Sequence, residues 1–384
     1  MKILIATDSF KDSLSARDVA LALKIGFLKG SPGDTIHLLP LADGGEGTVD
    51  VLVDATKGER VMLRVMDPLM RETDAFYGIT GDGRTAVIEM AAASGLEKLL
   101  PSERDPGITS TYGTGQLIAA ALDRGCRRIL IGIGGSATND CGAGMAQALG
   151  VKLLDAQGNN IGRGGGALGG VARIDVSGLD PRIAETEILV ACDVDNPLTG
   201  PHGASAVYGP QKGAGRGIVA MLDSNLRRFA GKILEELGKD VETIPGSGAA
   251  GGLGAGLVAF LDARLENGFD LIAGMVGLEE QIRGTDLVIT GEGKIDGQTR
   301  SGKTPCGVAR MGARLHRPVI AVAGSMESGA EMLYKEGITA IFPIMERPMT
   351  LEEALRNAGE MVERTGERIA RTLRLQSGFT AGRL

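Results

Sequence analysis

The chain has 384 residues, 43% of them apolar, with 60 glycines and a net charge of −7, enough for two cored domains at roughly 150 residues per domain. No Trp, few Tyr and Phe and the acidic balance argue against base stacking or phosphate-backbone binding, so no nucleic-acid partner is expected. Four scattered cysteines with no C-x-x-C pair, three histidines and no run of about 18 apolar residues leave no readable disulfide framework, zinc site, His-dependent triad or membrane span, and predict a cytoplasmic protein with no membrane partner.

KILIAT (2–7) predicts a first strand, and a helical pattern follows at about 15–29 with Ser15 as its N-cap. IHLLPL (36–41) predicts a second strand, with a helix at about 46–57. Further on, DLVITG (286–291), PVIAVAG (318–324) and AIFPI (340–344) read as strands. They alternate with helical patterns at about 304–316, 328–336 and 351–373, the last with Thr350 as N-cap. Strands alternating with helices over short connections predict an α/β, doubly wound, five-stranded parallel sheet covered on both faces. Right-handed crossovers give it the order 2-1-3-4-5, with 286–291 third. The pattern is left near residue 60 and rejoined near 285, which predicts one discontinuous domain, 1–61 with 284–384, and a large inserted α/β domain, 62–283.

Within the insertion, VMLRVMDPL (61–69) and ETDAFYGITGDGRTAVIEMA (72–91) predict a meander with a hairpin turn at GDGRT. A helix at 114–124, a strand at 128–133 and a helix at about 140–149 follow. Next come the strands VKLLD and EILVACDV, a long helix at 217–237, and the glycine-rich PGSGAAGGLGAGL (245–257) opening another helix.

The stretch RILIGIGGSATNDCGAG (128–144) is an apolar run that breaks into glycine and small polar residues before a helix. Unpaired N–H groups and the positive dipole end of such a helix attract an anion. Gly132 to Ala137 also matches G-x-G-x-x-A, with Asp155 about 20 residues on, the dinucleotide fingerprint. In so glycine-rich a chain the match alone is weak, and Thr138 to Gly144 is too polar to pack tightly on a sheet. Gly297 to Thr304 matches the P-loop pattern G-x-x-x-x-G-K-[ST]. Its strand ends near Thr290, seven residues early, and Pro305 follows the Thr, so a P-loop fold is rejected. Lys303 remains a candidate point charge for a phosphate.

Three loops follow strands of the discontinuous domain: DSFKDS (8–13), ADGGEG (42–47) and GEGKID (291–296). A doubly wound sheet gathers such loops on one rim, where ligands bind. Asp193 and Asp195, at i and i+2 after ILVAC, suit magnesium held by one or two carboxylates plus substrate phosphates, or proton acceptance from a hydroxyl. An Asx-turn is the plainer alternative. Ser205 and Lys212 are weaker candidates for the same cleft.

Together these segments resemble the bacterial glycerate kinases of the first class. The resemblance covers nearly the whole chain, through DSFKDSLSA, LADGGEGT, AVIEMAAASGL, TSTYGTGQLI, IGIGGSATNDCGAGMAQALG, ACDVDNPLTG, ASAVYGPQKGA, GAAGGLGAGL and VITGEGKIDGQTRSGKTPCGVA. Cys141 stands where the family pattern has Gly. The resemblance implies a flavodoxin-like domain split by an inserted α/β domain, with the active site between them. It implies phosphoryl transfer from ATP, with Mg2+, to D-glycerate, and bacterial members of this class are associated with the 2-phosphoglycerate product.

Phosphoryl transfer needs positioning and charge neutralisation more than covalent chemistry, which suggests roles. Ser9 and Lys11, with the 43–47 loop (Asp43, Gly44, Gly45, Glu46), suit the substrate carboxylate. Asp193 is the candidate base, and Asp195 and Glu292 are candidates for the metal side. Gly134, Gly135, Ser136, Thr138, Asn139 and Asp140 are expected to hold nucleotide phosphates, and Lys294 or Lys303 to offset charge on the transferred group. Three other readings stay open: a kinase forming 3-phosphoglycerate, an NAD-dependent hydroxy-acid dehydrogenase, and a non-catalytic hydroxy-acid binding protein. A homodimer is compatible with all of them.

Overall fold

The computed structural model describes residues 1–296 and 303–381. Its strands begin with β1 (Lys2–Ile5), β2 (Thr35–Leu38), β3 (Glu59–Met66), β4 (Glu72–Ile79), β5 (Thr85–Glu89), β6 (Arg128–Gly132) and β7 (Lys152–Leu154). β8 (Arg173–Asp175), β9 (Glu187–Ala191), β10 (Arg264–Glu266), β11 (Leu287–Ile295), β12 (Val319–Met326) and β13 (Ile338–Pro343) follow. The chain divides into two units: Met1–Asp43 with Phe269–Leu384, and Gly44–Gly268. No helix among the described residues is long and apolar enough to cross a membrane.

Unit 1 is built on a five-stranded sheet in the order β13-β12-β11-β1-β2, every adjacent pair parallel. Numbered within the sheet and read from β2, that is 2-1-3-4-5. Side chains alternate across the sheet. Leu4, Val288 and Ala321 enter one core with Val308 and Ala309, while Ile3, Ile5, Ile289 and Val322 enter another with Phe27 and Met361. A sheet buried on both faces needs nearly continuous apolar strands, and these runs supply them. Ser15 caps the helix Ala16–Gly30 by accepting the Asp18 N–H, and Thr350 accepts the Glu353 N–H at the start of the helix Leu351–Ala381.

One element differs from the sequence reading here. The third strand does not stop at 291 but runs to Ile295, because Lys294 and Ile295 pair with Ser325 and Met326 of β12. The segment 291–296, expected as a loop, is therefore mostly strand. The P-loop-like match at 297–304 lies for its first six residues outside the described residues.

Unit 2 carries a mixed sheet in the order β10-β9-β6-β5-β4-β3. β3, β4 and β5 form the antiparallel meander, and β5, β6, β9 and β10 run parallel. Asp82 closes the β4–β5 hairpin by accepting the N–H groups of Arg84 and Thr85 at 2.8 and 2.9 Å. β7 and β8 form a separate two-stranded antiparallel sheet.

Both boundaries shift from 61/62 and 283/284 to 43/44 and 268/269. The helix Thr48–Thr56 packs on the meander, with Val49 and Val53 filling the space over Gly78, so it belongs to unit 2. The helices Gly268–Met275 and Leu278–Arg283 send Phe269, Ala273, Leu278 and Ile282 into the unit 1 core.

Candidate functional site

In unit 1, charged residues collect just past the ends of β1 and β2 and on the last part of β11, the edge at which doubly wound sheets bind ligands. Asp8 follows β1, and its N–H donates to the Gly291 carbonyl at 2.9 Å. Its carboxylate accepts the Ser9 N–H on Oδ1 at 2.6 Å and the Thr304 hydroxyl on Oδ2 at 2.6 Å. Burial, and then the Asp43 carboxylate, raise the Asp8 pKa to about 7 against the pull of those two donors, and Glu292 adds to the rise. Glu292 is buried, with Oε2 3.5 Å from Lys303 Nζ. Lys303 is the N-cap of the helix Thr304–Arg314, whose first turn carries Pro305. Three carboxylates, a cation and a helix N-terminus are thus grouped within unit 1.

Among the described residues no three His, Cys, Asp or Glu side chains converge as a metal-holding group. That excludes an all-protein cage, not magnesium, which keeps several waters and takes one or two carboxylates plus phosphate oxygens. Glu292 and Asp43 are hard oxygen donors that fit that mode.

In unit 2, two glycine loops meet. Gly44 has φ +93°, and a Cβ on it would lie 2.4 Å from the Ala191 Cβ at the end of β9. A Cβ on Gly132 would lie 2.1 Å from the Gly44 carbonyl oxygen. Only residues without side chains allow this approach of the 44–47 loop to the ends of β6 and β9. Glu89, the last residue of β5, is buried and accepts the Val49 N–H at 2.8 Å, fixing the helix that the 44–47 loop opens. Burial raises its pKa to about 7, opposed by the Val49 donor and reinforced by Asp50 and Glu46.

After β6 the chain exposes Gly134 and Gly135 and then turns inward. Lys212, almost fully buried, donates to Ser136 Oγ at 2.6 Å and to the Thr138 carbonyl at 2.7 Å. Burial lowers its pKa to about 7, against the attraction of Asp140. Asp140 Oδ2 accepts the Thr111 N–H and hydroxyl and the Gly144 N–H, so it ties this loop to the helices Tyr112–Asp123 and Ala143–Ala148. Asn139 donates to Ser205 Oγ at 3.0 Å. Thr138, Asn139 and Asp140 are fully buried and shape the loop from below, so a nucleotide is not met by their side chains. What the loop offers a ligand is the backbone of Gly134 and Gly135.

The dinucleotide fingerprint fails on geometry. The next helix begins only at Ala143 and spans six residues, and Asp155 follows β7, which lies outside the main sheet. Among the described residues no helix N-terminus abuts the glycine turn. The acid at the tip of the parallel neighbour β5, Glu89, precedes the turn in sequence and accepts the Val49 N–H, unlike the dinucleotide arrangement, in which the acid follows the turn by about 20 residues.

A family model described as the glycerate kinase family matches residues 3–374. The chain belongs to the glycerate kinase family. It is 53% identical to a glycerate kinase of Bacillus subtilis (strain 168) and 50% identical to a glycerate 2-kinase of Escherichia coli (strain K12). Those alignments cover 98% and 97% of this chain, and 98% of each relative. A crystal structure of a Salmonella typhimurium LT2 protein assigned as glycerate kinase 2 superposes with a TM-score of 0.89 at 50% identity, over 98% of this chain and 99% of that one. Membership brings the activity of the family, a kinase reaction on glycerate, and the mixed α/β architecture agrees with that neighbour.

Against this family background, the expected site residues divide. Asp43, Glu292 and Lys303 join Asp8 in unit 1, and Gly44, Gly45, Gly134 and Gly135 meet in unit 2. Ser9 adjoins the first group through its N–H, and Lys11 stands exposed in the same loop. Glu46 is exposed on the 44–47 loop. Lys294 is exposed and engaged by Glu327 at 3.0 Å and Asp296 at 3.3 Å, both of which raise its pKa. Asp193 Oδ1 accepts Asn267 Nδ2 at 2.7 Å and the Gly268 N–H at 2.8 Å, and Asp195 is exposed. The visible work of Asp193 is to pin the segment after β10 to the turn after β9.

Sequence reasoning assigned no role to Asp8 or Glu89, and gave Lys212 too little weight. Asp8 opens a loop already marked as ligand-binding, and Glu89 is a carboxylate closing an apolar strand. Both signals were present. Lys212 lies in a glycine-flanked segment with no periodicity to announce its burial.

Proposed function

We propose that the chain transfers the γ-phosphoryl group of ATP, with magnesium, to D-glycerate and forms 2-phosphoglycerate. The observation that carries this reading is the grouping of Asp8, Asp43, Glu292, Lys303 and Thr304 at the ligand-binding edge of the unit 1 sheet. The Escherichia coli relative, a glycerate 2-kinase, supports the choice of hydroxyl. We also read unit 1 as flavodoxin-like, with unit 2 inserted after its second strand, on the basis of the strand order.

The residues then take these roles. Asp8, with its pKa near neutrality, accepts the proton of the attacking hydroxyl, since a base works best when its pKa lies near the operating pH. Thr304 and the Ser9 N–H orient that carboxylate. Glu292 and Asp43 hold magnesium, which supplies charge neutralisation on the phosphates when bound, and exposed Asp195 is the alternative on the metal side. Lys303 and Lys11 offset the charge of the transferred group and of the substrate carboxylate. The amides of Gly44, Gly45, Gly134 and Gly135 offer N–H donors to an anion in unit 2.

The test is phosphorus NMR of the product from purified protein, ATP, magnesium and D-glycerate, in which 2- and 3-phosphoglycerate give separate resonances. A 3-phosphoglycerate signal overturns the product assignment, and no glycerate-dependent ATP consumption overturns the reading.

A further inference from the structure

A cavity in unit 1, about 310 Å³ in volume, is lined by Gly293, next in sequence to Glu292, but differs in chemistry from the carboxylate group. Its floor is backbone: Gly293 of β11 and Gly324 of β12. A Cβ on Gly324 would lie 2.3 Å from the Gly293 carbonyl oxygen and one on Gly293 3.2 Å from the Phe10 Cα, so main chain packs on main chain here and the floor carries no side chain from either glycine. Its walls are apolar, from Ile344, Met345 and Met349 after β13 and Leu355 in the first turns of the helix Leu351–Ala381. The Ser13 hydroxyl donates to the Leu355 carbonyl at 3.1 Å and pins the β1 loop against that helix. Lys11, from the same loop, stands at the cavity.

The strand edge inside the cavity is the second observation. β12 pairs with β11 as far as Met326, but its pairing with β13 ends at Ala323. From Gly324 onward β12 therefore turns an edge of main-chain donors and acceptors towards the side that β13 has left. A slot with a main-chain floor, methionine and leucine walls and one backbone edge suits a planar heteroaromatic ring, whose faces are apolar and whose rim carries N–H donors and ring-nitrogen acceptors. Glycerate is a small anion with two hydroxyls and has no use for such walls. Lys11 lies three residues from Asp8, so the cavity is lined by the same loop that carries the proposed base.

We propose that this cavity is the purine pocket of the kinase: the adenine ring of ATP lies between the Met345–Met349 segment and the Gly293–Gly324 floor, with the Gly324–Ser325 edge reading its rim. The inference rests on ATP being the donor. It places the base end of the nucleotide in unit 1 and leaves the Gly134–Gly135 amides of unit 2 for an anionic group.

Ala354→Phe fills the cavity from the helix side. The expected result is a rise of at least about tenfold in KM for ATP, with KM for D-glycerate and kcat at saturating ATP within about twofold of wild type. Calorimetry on the same protein with ADP and with inorganic tripolyphosphate separates base from phosphate: ADP affinity falls and tripolyphosphate affinity holds. Equal loss of both ligands, unchanged ADP binding, or a change confined to the glycerate KM overturns the proposal. Met349→Ala, which removes a wall without adding bulk, repeats the test if Ala354→Phe folds poorly, as read by circular dichroism and Tm. A wild-type protein that binds no ADP at all sinks the ATP reading itself. ADP binding that is intact in both variants sinks only the pocket.

Discussion

The Thr304 hydroxyl donates to Asp8 Oδ2 at 2.6 Å across 296 positions of sequence. That bond joins the first strand's loop to the N-terminus of a helix beyond the third strand of the sheet, and it stabilises the ionised form of a carboxylate that burial and two neighbouring acids push towards protonation. Asp8→Asn should lower kcat by about 10²–10⁴-fold, the range of a lost general base. Wild-type activity should fall as pH drops below about 7, because the base form of Asp8 is lost there. Thr304→Val removes a donor to the charged form, so the acid limb of the pH–kcat/KM profile should move to higher pH. An unmoved limb would show that another group titrates.

Asp193 is expected to matter for structure before chemistry. Asp193→Ala removes the acceptor of both the Asn267 amide and the Gly268 N–H. It should destabilise the protein by about 1–3 kcal/mol, the cost of leaving such groups unsatisfied, measured by urea unfolding. Asp193→Asn keeps an acceptor oxygen and should change kcat only a few-fold. A hundredfold loss of kcat in a stably folded Asp193→Asn protein would return the base role to this residue.

Two buried groups of unit 2 give stability opposite dependences on pH. Lys212 is lowered from 10.5 to about 7 in the fold, so between those values the unfolded chain binds the extra proton and this group makes stability rise with pH. Glu89 is raised from 4.5 to about 7, so between those values the folded chain binds the extra proton and this group makes stability fall with pH. Glu89→Gln, which retains an acceptor for Val49, should therefore gain stability relative to wild type on going from pH 5 to pH 8. Lys212→Met should flatten the rise between pH 7 and pH 10. Denaturation midpoints of the three proteins across that range decide both.

The contact between the two glycine loops should be intolerant of a single methyl group. Gly44→Ala combines a positive φ with a 2.4 Å approach to Ala191, and Gly132→Ala meets the Gly44 carbonyl at 2.1 Å. Each should cost about 1–3 kcal/mol in backbone strain and displacement and lower kcat/KM for glycerate more than that for ATP. If steady-state kinetics of either variant match wild type, the 44–47 loop does not serve the substrate.

Legibility followed the range of the physics involved. Short apolar runs and capping residues are local, so the five strands of unit 1 and the meander of unit 2 could be read directly, and Ser15 and Thr350 cap where expected. The helix Thr48–Thr56 presents Val49 and Val53 to one side, and nothing local says whether the first or the second sheet receives them. Residues 291–295 read as a loop because two glycines and two charges break the apolar run, and only pairing with β12 makes them strand. Thr138 to Asp140 read as ligand-facing because they are polar, although their partners (Lys212, Thr111 and Ser205) come from distant segments and take them inside.

The two ends of unit 2 arrive at one place. Gly44, its first residue, packs on Ala191 at the tip of β9, and Gly268, its last, donates to Asp193 two residues further along the same segment. A segment whose start and finish are fastened to a single strand tip closes on itself like a cassette and asks only for a narrow gap in whatever chain hosts it. Residues 44–268 are accordingly the natural piece to transplant between relatives or to express alone, with the β9 tip as the joint whose integrity decides whether the graft holds.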